Sequence, residues 1–97
     1  MENPRLESAF RDLELIAEAA DKKERCPKTG EFGPLKSHNI SVLMKEGYIR
    51  SEVYRHNYRV ITILKGPHAG KSTAPPEDGG LTPYKVNGEL VRGLGRF

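Results

Sequence analysis

Between Lys36 and Leu64 the chain changes its hydrophobic period at a single glycine, and that change leaves few folds open. In KSHNISVLMKEG the apolar residues Ile40, Leu43 and Met44 recur at three and four positions, Ser37 is placed to cap the first turn, and Gly47 to close the last. The spacing predicts a short amphipathic helix from Ser37 to Glu46. Two β-rich runs follow, Ile49 to Tyr54 and Tyr58 to Leu64, separated by Arg55-His56-Asn57, whose Asn tolerates the positive φ a hairpin turn needs. Pairing Tyr54 with Tyr58 around that loop sets Ile49, Val53, Ile61 and Ile63 on one face with Arg59, and Tyr54, Tyr58 and Val60 on the other; a two-residue turn would shift the register.

The remaining 68 or so residues have to pack against this unit, because a chain of 97 residues buries only roughly 60–65% of its unfolded surface and supports one modest core. Asn3-Pro4 is a helix start, Asn accepting from the first turn and Pro fitting its first position. Leu6, Phe10, Leu13, Ile16 or Ala17, and Ala20 then share one face, with Glu7, Arg11, Glu14, Glu18 and Asp21 on the other, so a first helix is expected from Pro4 to about Lys23. Lys22, Lys23 and Arg25 suit the negative end of its dipole. Cys26-Pro27-Lys28-Thr29-Gly30 reads as a turn, and Glu31 to Leu35 as a weak helix interrupted by Gly33-Pro34. After residue 65, Gly and Pro predominate up to residue 80, an extended linker arm; within the tail 81–97, Asn87-Gly88 marks a tiny hairpin that has to dock on something to be stable.

Charge is unevenly distributed. The net value is +3, but residues 1–33 carry six basic and eight acidic side chains, residues 34–65 six and two, and residues 66–97 four and three. The positive excess therefore sits on the short helix and the hairpin, where a polyanion partner would need it. Cys26 is the one cysteine, which excludes an internal disulfide and points to a reducing cytoplasm. MENPRLESAF lacks the basic start and apolar core of a signal peptide, and no apolar run approaches the ~18 residues of a membrane span, so neither export nor a membrane partner is expected.

Helix, glycine, then basic hairpin resembles the recognition helix and wing of bacterial and phage winged helix-turn-helix transcriptional regulators. The resemblance covers about a third of the chain. It implies an α+β fold for residues 1–65, with a three-helix core whose second helix is short, a β-hairpin wing and an extended C-terminal arm. It further implies a sequence-specific regulator that binds double-stranded DNA, is cytoplasmic and nucleoid-associated, and acts by occupancy. A homodimer is expected, since one short helix reads too few base pairs and paired half-sites multiply discrimination.

The DNA-facing set implied is Lys36, Ser37, His38, Asn39, Ser41, Val42, Lys45, Arg50, Arg55, His56, Asn57 and Arg59. A helical wheel sets His38, Val42 and Lys45 opposite the apolar face, flanked by Asn39, Ser41 and Glu46. Asn39 and Ser41 suit base edges, Lys45 suits guanine or phosphate, and Val42 suits a thymine methyl. Arg55, His56 and Asn57 form the hairpin tip, placed to straddle phosphates or enter the minor groove, whereas the faces of Arg50 and Arg59 depend on register. A solvated helix face and a charged guard on a β-edge are the plain alternatives for these same residues.

Other chemistries find less support. Gly66-Pro67-His68-Ala69-Gly70-Lys71-Ser72 looks like a phosphate-binding P-loop but is one residue short, and Ala74-Pro75-Pro76 forbids the helix that should follow. His38, His56, His68 and Cys26 lack metal-ligand spacing, and no base and nucleophile lie near each other, so neither a cofactor nor an enzyme is expected. The competing class is a protein-interaction module, in which Leu81 to Phe97 adds a strand to a partner.

Overall fold

A computed structural model describes residues 4–76 and 82–90. Asn3, Leu81 and the last seven residues of the tail lie outside that set, and with them the expected cap at Asn3 and eight of the seventeen residues of the expected partner-binding tail. The described residues form a small α+β domain: helix α1 (Pro4–Asp21), helix α2 (Ser37–Lys45), strands β1 (Ile49–Tyr54) and β2 (Tyr58–Ile63), and short strands β3 (Lys85–Val86) and β4 (Glu89–Leu90). The four strands make one antiparallel sheet in the order β2-β1-β3-β4. No helix among them is long and apolar enough to cross a membrane.

Helix α1 buries Ala9, Leu13, Ile16, Ala17 and Ala19, and with them the carboxylate of Asp12. Phe10, expected at the centre of that face, is pushed to its margin, 36% exposed and edge-on to Tyr48 with ring centroids 5.1 Å apart. The helix ends at Asp21, short of Lys23. Lys23 takes a left-handed φ of 57°, while the Glu24 N–H donates to Ala19 O (2.8 Å) and the Lys23 N–H to Ala20 O (3.1 Å), the paired bonds of a Schellman cap. Gly47 (φ 78°) closes α2 in the same way, through Tyr48 N–H to Leu43 O at 2.9 Å.

The start of α2 differs from expectation. Lys36, not Ser37, is the cap residue, and no side chain caps it. A carboxylate from α1 substitutes: the Lys36 N–H donates to Asp12 Oδ2 at 2.8 Å.

Residues 31–35 do not form the expected second helix, so the described residues hold two helices rather than three. Thr29 and Leu35 pair instead in an isolated parallel bridge, with Gly30 N–H donating to Leu35 O (2.9 Å) and Leu35 N–H to Lys28 O (3.2 Å). This tight loop depends on Gly33, where a Cβ would stand 2.3 Å from the Lys28 carbonyl oxygen. Its closing residue, Leu35, is fully buried.

The hairpin has the register expected for a three-residue loop: Tyr54 pairs with Tyr58, Val53 with Arg59, Ser51 with Ile61 and Ile49 with Ile63. His56 and Asn57 both take positive φ, 61° and 58°. Ile49, Ile61 and Ile63 face the helices and join Leu13, Ile16, Leu35, Ile40 and Leu43 in the core.

Both edges of this hairpin are covered by the C-terminal third. Gly70 N–H donates to Ile63 O (2.8 Å), Ile63 N–H to Lys71 O (2.8 Å) and Thr73 N–H to Ile61 O (3.0 Å), so the segment expected as a linker arm runs beside β2. On the other side β3 pairs with β1, Glu52 opposite Val86 and Val53 opposite Lys85. Asn87 (φ 52°) and Gly88 (φ 82°) make the tight turn, and Asn87 Oδ1 accepts from Ser51 N–H at 2.9 Å. The tail hairpin thus finds its docking edge on the chain's own sheet.

Candidate nucleic-acid interface

On α2, Ser37, His38, Ser41, Lys45 and Glu46 are exposed, as is Lys36 before it. Two members of the expected base-reading set are not. Asn39 is 6% exposed, its Nδ2 donating to Asp12 Oδ2 (3.2 Å) and Ser8 Oγ (3.3 Å) inside the contact with α1. Val42 is half-buried against the hydrophobic core rather than facing water. The α1–α2 contact is wider than the apolar stripe of α2 alone, because a polar pair extends it. The face left for a groove narrows to His38, Ser41 and Lys45, with Lys36 and Ser37 at its leading end.

On the hairpin, Arg55, His56 and Asn57 are exposed at the tip. Asn57 is held there by Tyr84, whose hydroxyl donates to Asn57 Oδ1 at 3.0 Å. Strand alternation separates the two flanking arginines. Arg50 lies with Glu52 and Tyr54 on the outer face of the sheet, its Nη2 4.0 Å from Glu52 Oε2. Arg59 lies half-buried on the inner face beside Val53.

Around Arg59 the inner face opens into two hollows. The larger, of about 690 Å³, lies between the hairpin and the chain leaving α1, and gathers Arg25, Lys28, Arg59 and Asn57, with Glu24 the one carboxylate among the described residues that line it. The smaller, of about 210 Å³, is bounded by Asn57, Arg59, Tyr84 and Lys85. Among the described residues Lys28, Arg59 and Lys85 make no ion pair, while the Arg25 guanidinium stands 4.5 Å from the centroid of the Tyr58 ring. The sequence reading missed Arg25, Lys28 and Lys85. Arg25 had a sufficient explanation in the helix dipole, yet it lies four residues beyond the helix end and stacks on β2 instead. Lys85 carried a signal in the Asn-Gly turn that follows it, but not the identity of the strand it joins.

Cys26 forms part of the wall of the larger hollow and is 8% exposed. Burial pushes its thiol up to about 11, with Arg59 and Arg25 pulling the other way, so at neutral pH it is a small apolar wall residue and not a nucleophile.

The run from Gly66 to Ser72 spends its amides internally: Ala69 N–H on Gly66 O, Gly70 N–H on Ile63 O and Lys71 N–H on His68 O. Its side chains tie it to α1, His68 Nε2 to Glu14 Oε2 at 2.9 Å and Lys71 Nζ to Asp21 Oδ1 at 3.0 Å. A phosphate cradle needs those amides and that lysine free. Comparison with known proteins finds no matching family, no matching curated sequence and no matching solved structure.

Proposed function

We propose that this protein binds duplex DNA as a small transcriptional regulator of the winged helix-turn-helix kind, with α2 in the major groove and the hairpin tip on phosphates or in the minor groove. The observation that carries the reading is the continuity of α2, Gly47 and the hairpin. An exposed polar helix face with Lys45 leads through one closed turn into a rigid, edge-covered hairpin that holds Arg55, His56 and Asn57 at its exposed tip. The loop from Lys28 to Leu35 takes the place of a second helix in this reading, and Asp12 orients α2 against α1. Base reading falls to His38, Ser41 and Lys45, and phosphate contact to Lys36 and Arg55. So small a reading surface favours a homodimer on paired half-sites.

Fluorescence anisotropy with random and genomic duplexes across a salt series tests this. Log K falling against log salt with a slope of roughly −3 to −6, with some fragments bound far tighter than others, is the expected result. No binding at low salt would overturn it.

One observation favours the second reading, a protein-interaction module. Among the described residues strand β4 is the outermost of the sheet, and on it Leu90 is 71% exposed, the kind of edge a partner strand extends. Leu90→Gln, which adds no charge opposite Lys85, then abolishes partner capture and leaves DNA affinity unchanged.

A further inference from the structure

The larger hollow under the hairpin is more than a gap in packing. Its volume of about 690 Å³ falls within the range of small-molecule sites, and among the described residues it collects Arg25, Lys28 and Arg59 against the single carboxylate of Glu24. Three cations converging on one concavity repel each other, and among the described residues neither Lys28 nor Arg59 is relieved by an ion pair. Arg25 is held in place: its guanidinium lies over Tyr58, whose hydroxyl is fixed by donating to Ala74 O at 2.9 Å.

We propose that this hollow binds a phosphate-bearing small molecule of about nucleotide size, its phosphate taken by Arg25, Lys28 and Arg59. A phosphomonoester dianion matches the net positive charge of the lining, and the arginine forks suit its oxygens. The remaining volume, walled by Pro27, Cys26 and Ala19, accommodates the rest of the ligand. The site stands apart from the DNA reading, since it uses neither the exposed face of α2 nor Arg55. Because Arg59 and Asn57 belong to the strand end and loop of the hairpin, an occupied hollow stiffens the base of the tip.

The phosphate has two conceivable sources, a free metabolite or a nucleic-acid backbone, and one experiment separates them. Amide spectra of the ¹⁵N-labelled protein are followed while adenosine 5′-monophosphate, inorganic pyrophosphate or a short DNA duplex is added at ionic strength held constant with sodium chloride. The expected result is saturable shifts at residues 24–29 and 57–59 with adenosine monophosphate or pyrophosphate. Arg59→Gln and Lys28→Gln each weaken that binding at least about tenfold, while Lys45→Gln on α2 leaves it unchanged. Lys28 is exposed, so its variant remains informative should Arg59→Gln fold poorly. Shifts that never saturate, or that sodium chloride alone reproduces, overturn the proposal. Shifts at these amides with duplex but not with the two small phosphates also overturn it and assign the hollow to DNA phosphates. Small-phosphate binding without any duplex binding upholds it while removing the DNA reading.

Discussion

Asp12 on α1 and Asn39 on α2 meet in the buried contact between the two helices, Asn39 Nδ2 donating to Asp12 Oδ2 at 3.2 Å while the same oxygen accepts from the Lys36 N–H at 2.8 Å. One carboxylate therefore starts α2 and sets its rotation about its own axis. Removing Asp12 takes the acceptor from the Lys36 N–H and one acceptor from Asn39, whereas removing Asn39 takes one of two donors from the buried carboxylate. Asp12→Ala is expected to cost about 2–3 kcal/mol and Asn39→Ala about 1–2 kcal/mol in urea denaturation, with the double variant losing less than the two combined. Fully additive losses would mean the two side chains do not act as a unit.

That pair also explains why the helix wheel misplaced Asn39 and Val42. Periodicity reports the apolar stripe of a helix, and a polar residue is assigned to solvent unless its partner is known; here the partner lies 27 residues earlier. The hairpin was legible down to its register because alternation, Asn57 and the Tyr54–Tyr58 pairing are all local. So was the end of α2, through Gly47. The segment from Glu31 to Leu35 was not, since what replaces a helix there is a bridge between Thr29 and Leu35 that no propensity encodes. The tail hairpin was readable as a turn at Asn87-Gly88, but its docking edge on β1 is a long-range fact. For the inner-face cations the loss was of the same kind: Arg25 and Lys28 lie far in sequence from Arg59 and Lys85, and the two groups meet only once the sheet closes.

Gly33 tests the loop that stands in place of a second helix. An added methyl at this position meets the Lys28 carbonyl oxygen at 2.3 Å, and backbone rather than a flexible side chain has to give way. Gly33→Ala is expected to destabilise the protein by about 1–3 kcal/mol. The first amides to lose exchange protection should be Gly30 and Leu35, which close the loop. Unchanged protection at Leu35 would show that the loop tolerates the methyl by moving elsewhere.

Asn87 holds the tail on the sheet through both of its polar ends, N–H to Ser51 O at 2.7 Å and Oδ1 from Ser51 N–H at 2.9 Å, while taking a φ of 52°. Two substitutions separate these contributions. Asn87→Gly keeps the turn and loses one hydrogen bond, about 1 kcal/mol; Asn87→Ala loses the bond and strains the turn as well, about 2 kcal/mol. Faster hydrogen exchange at Ser51 in both variants checks the docking, and protection equal to the parent protein would contradict it.

Cys26 links the core to alkaline pH. Its thiol is raised from 9.0 to about 11 by burial, so the folded chain keeps a proton that the unfolded chain releases. The stabilisation is fully present below pH 9 and is lost as pH rises through 11, a change on the order of 2 kcal/mol. Burial also raises Tyr54, which adds to the loss in the same direction. Cys26→Ala should therefore flatten part, but not all, of the fall in denaturation midpoint between pH 9 and 11. A slope identical to that of the parent protein would show that the thiol is not what senses pH there.

The DNA reading rests on side chains that can be removed without touching the core, which makes its failure interpretable. Lys45 is exposed, so its alanine variant should not lower the melting temperature appreciably, and affinities of both variants are compared at temperatures where each is folded. Lys45→Ala is expected to weaken the best duplex by about 1–3 kcal/mol and to blur its preference over random sequence, as loss of a major-groove contact does. Arg55→Ala should weaken all duplexes alike and reduce the salt slope by about one, as loss of a phosphate contact at the hairpin tip does. Asn39→Ala provides the contrast, lowering stability through the Asp12 contact while leaving the preference among duplexes intact at temperatures where the variant is folded. Unchanged affinity for Lys45→Ala and Arg55→Ala together would remove α2 and the tip from the interface and sink the DNA reading as drawn.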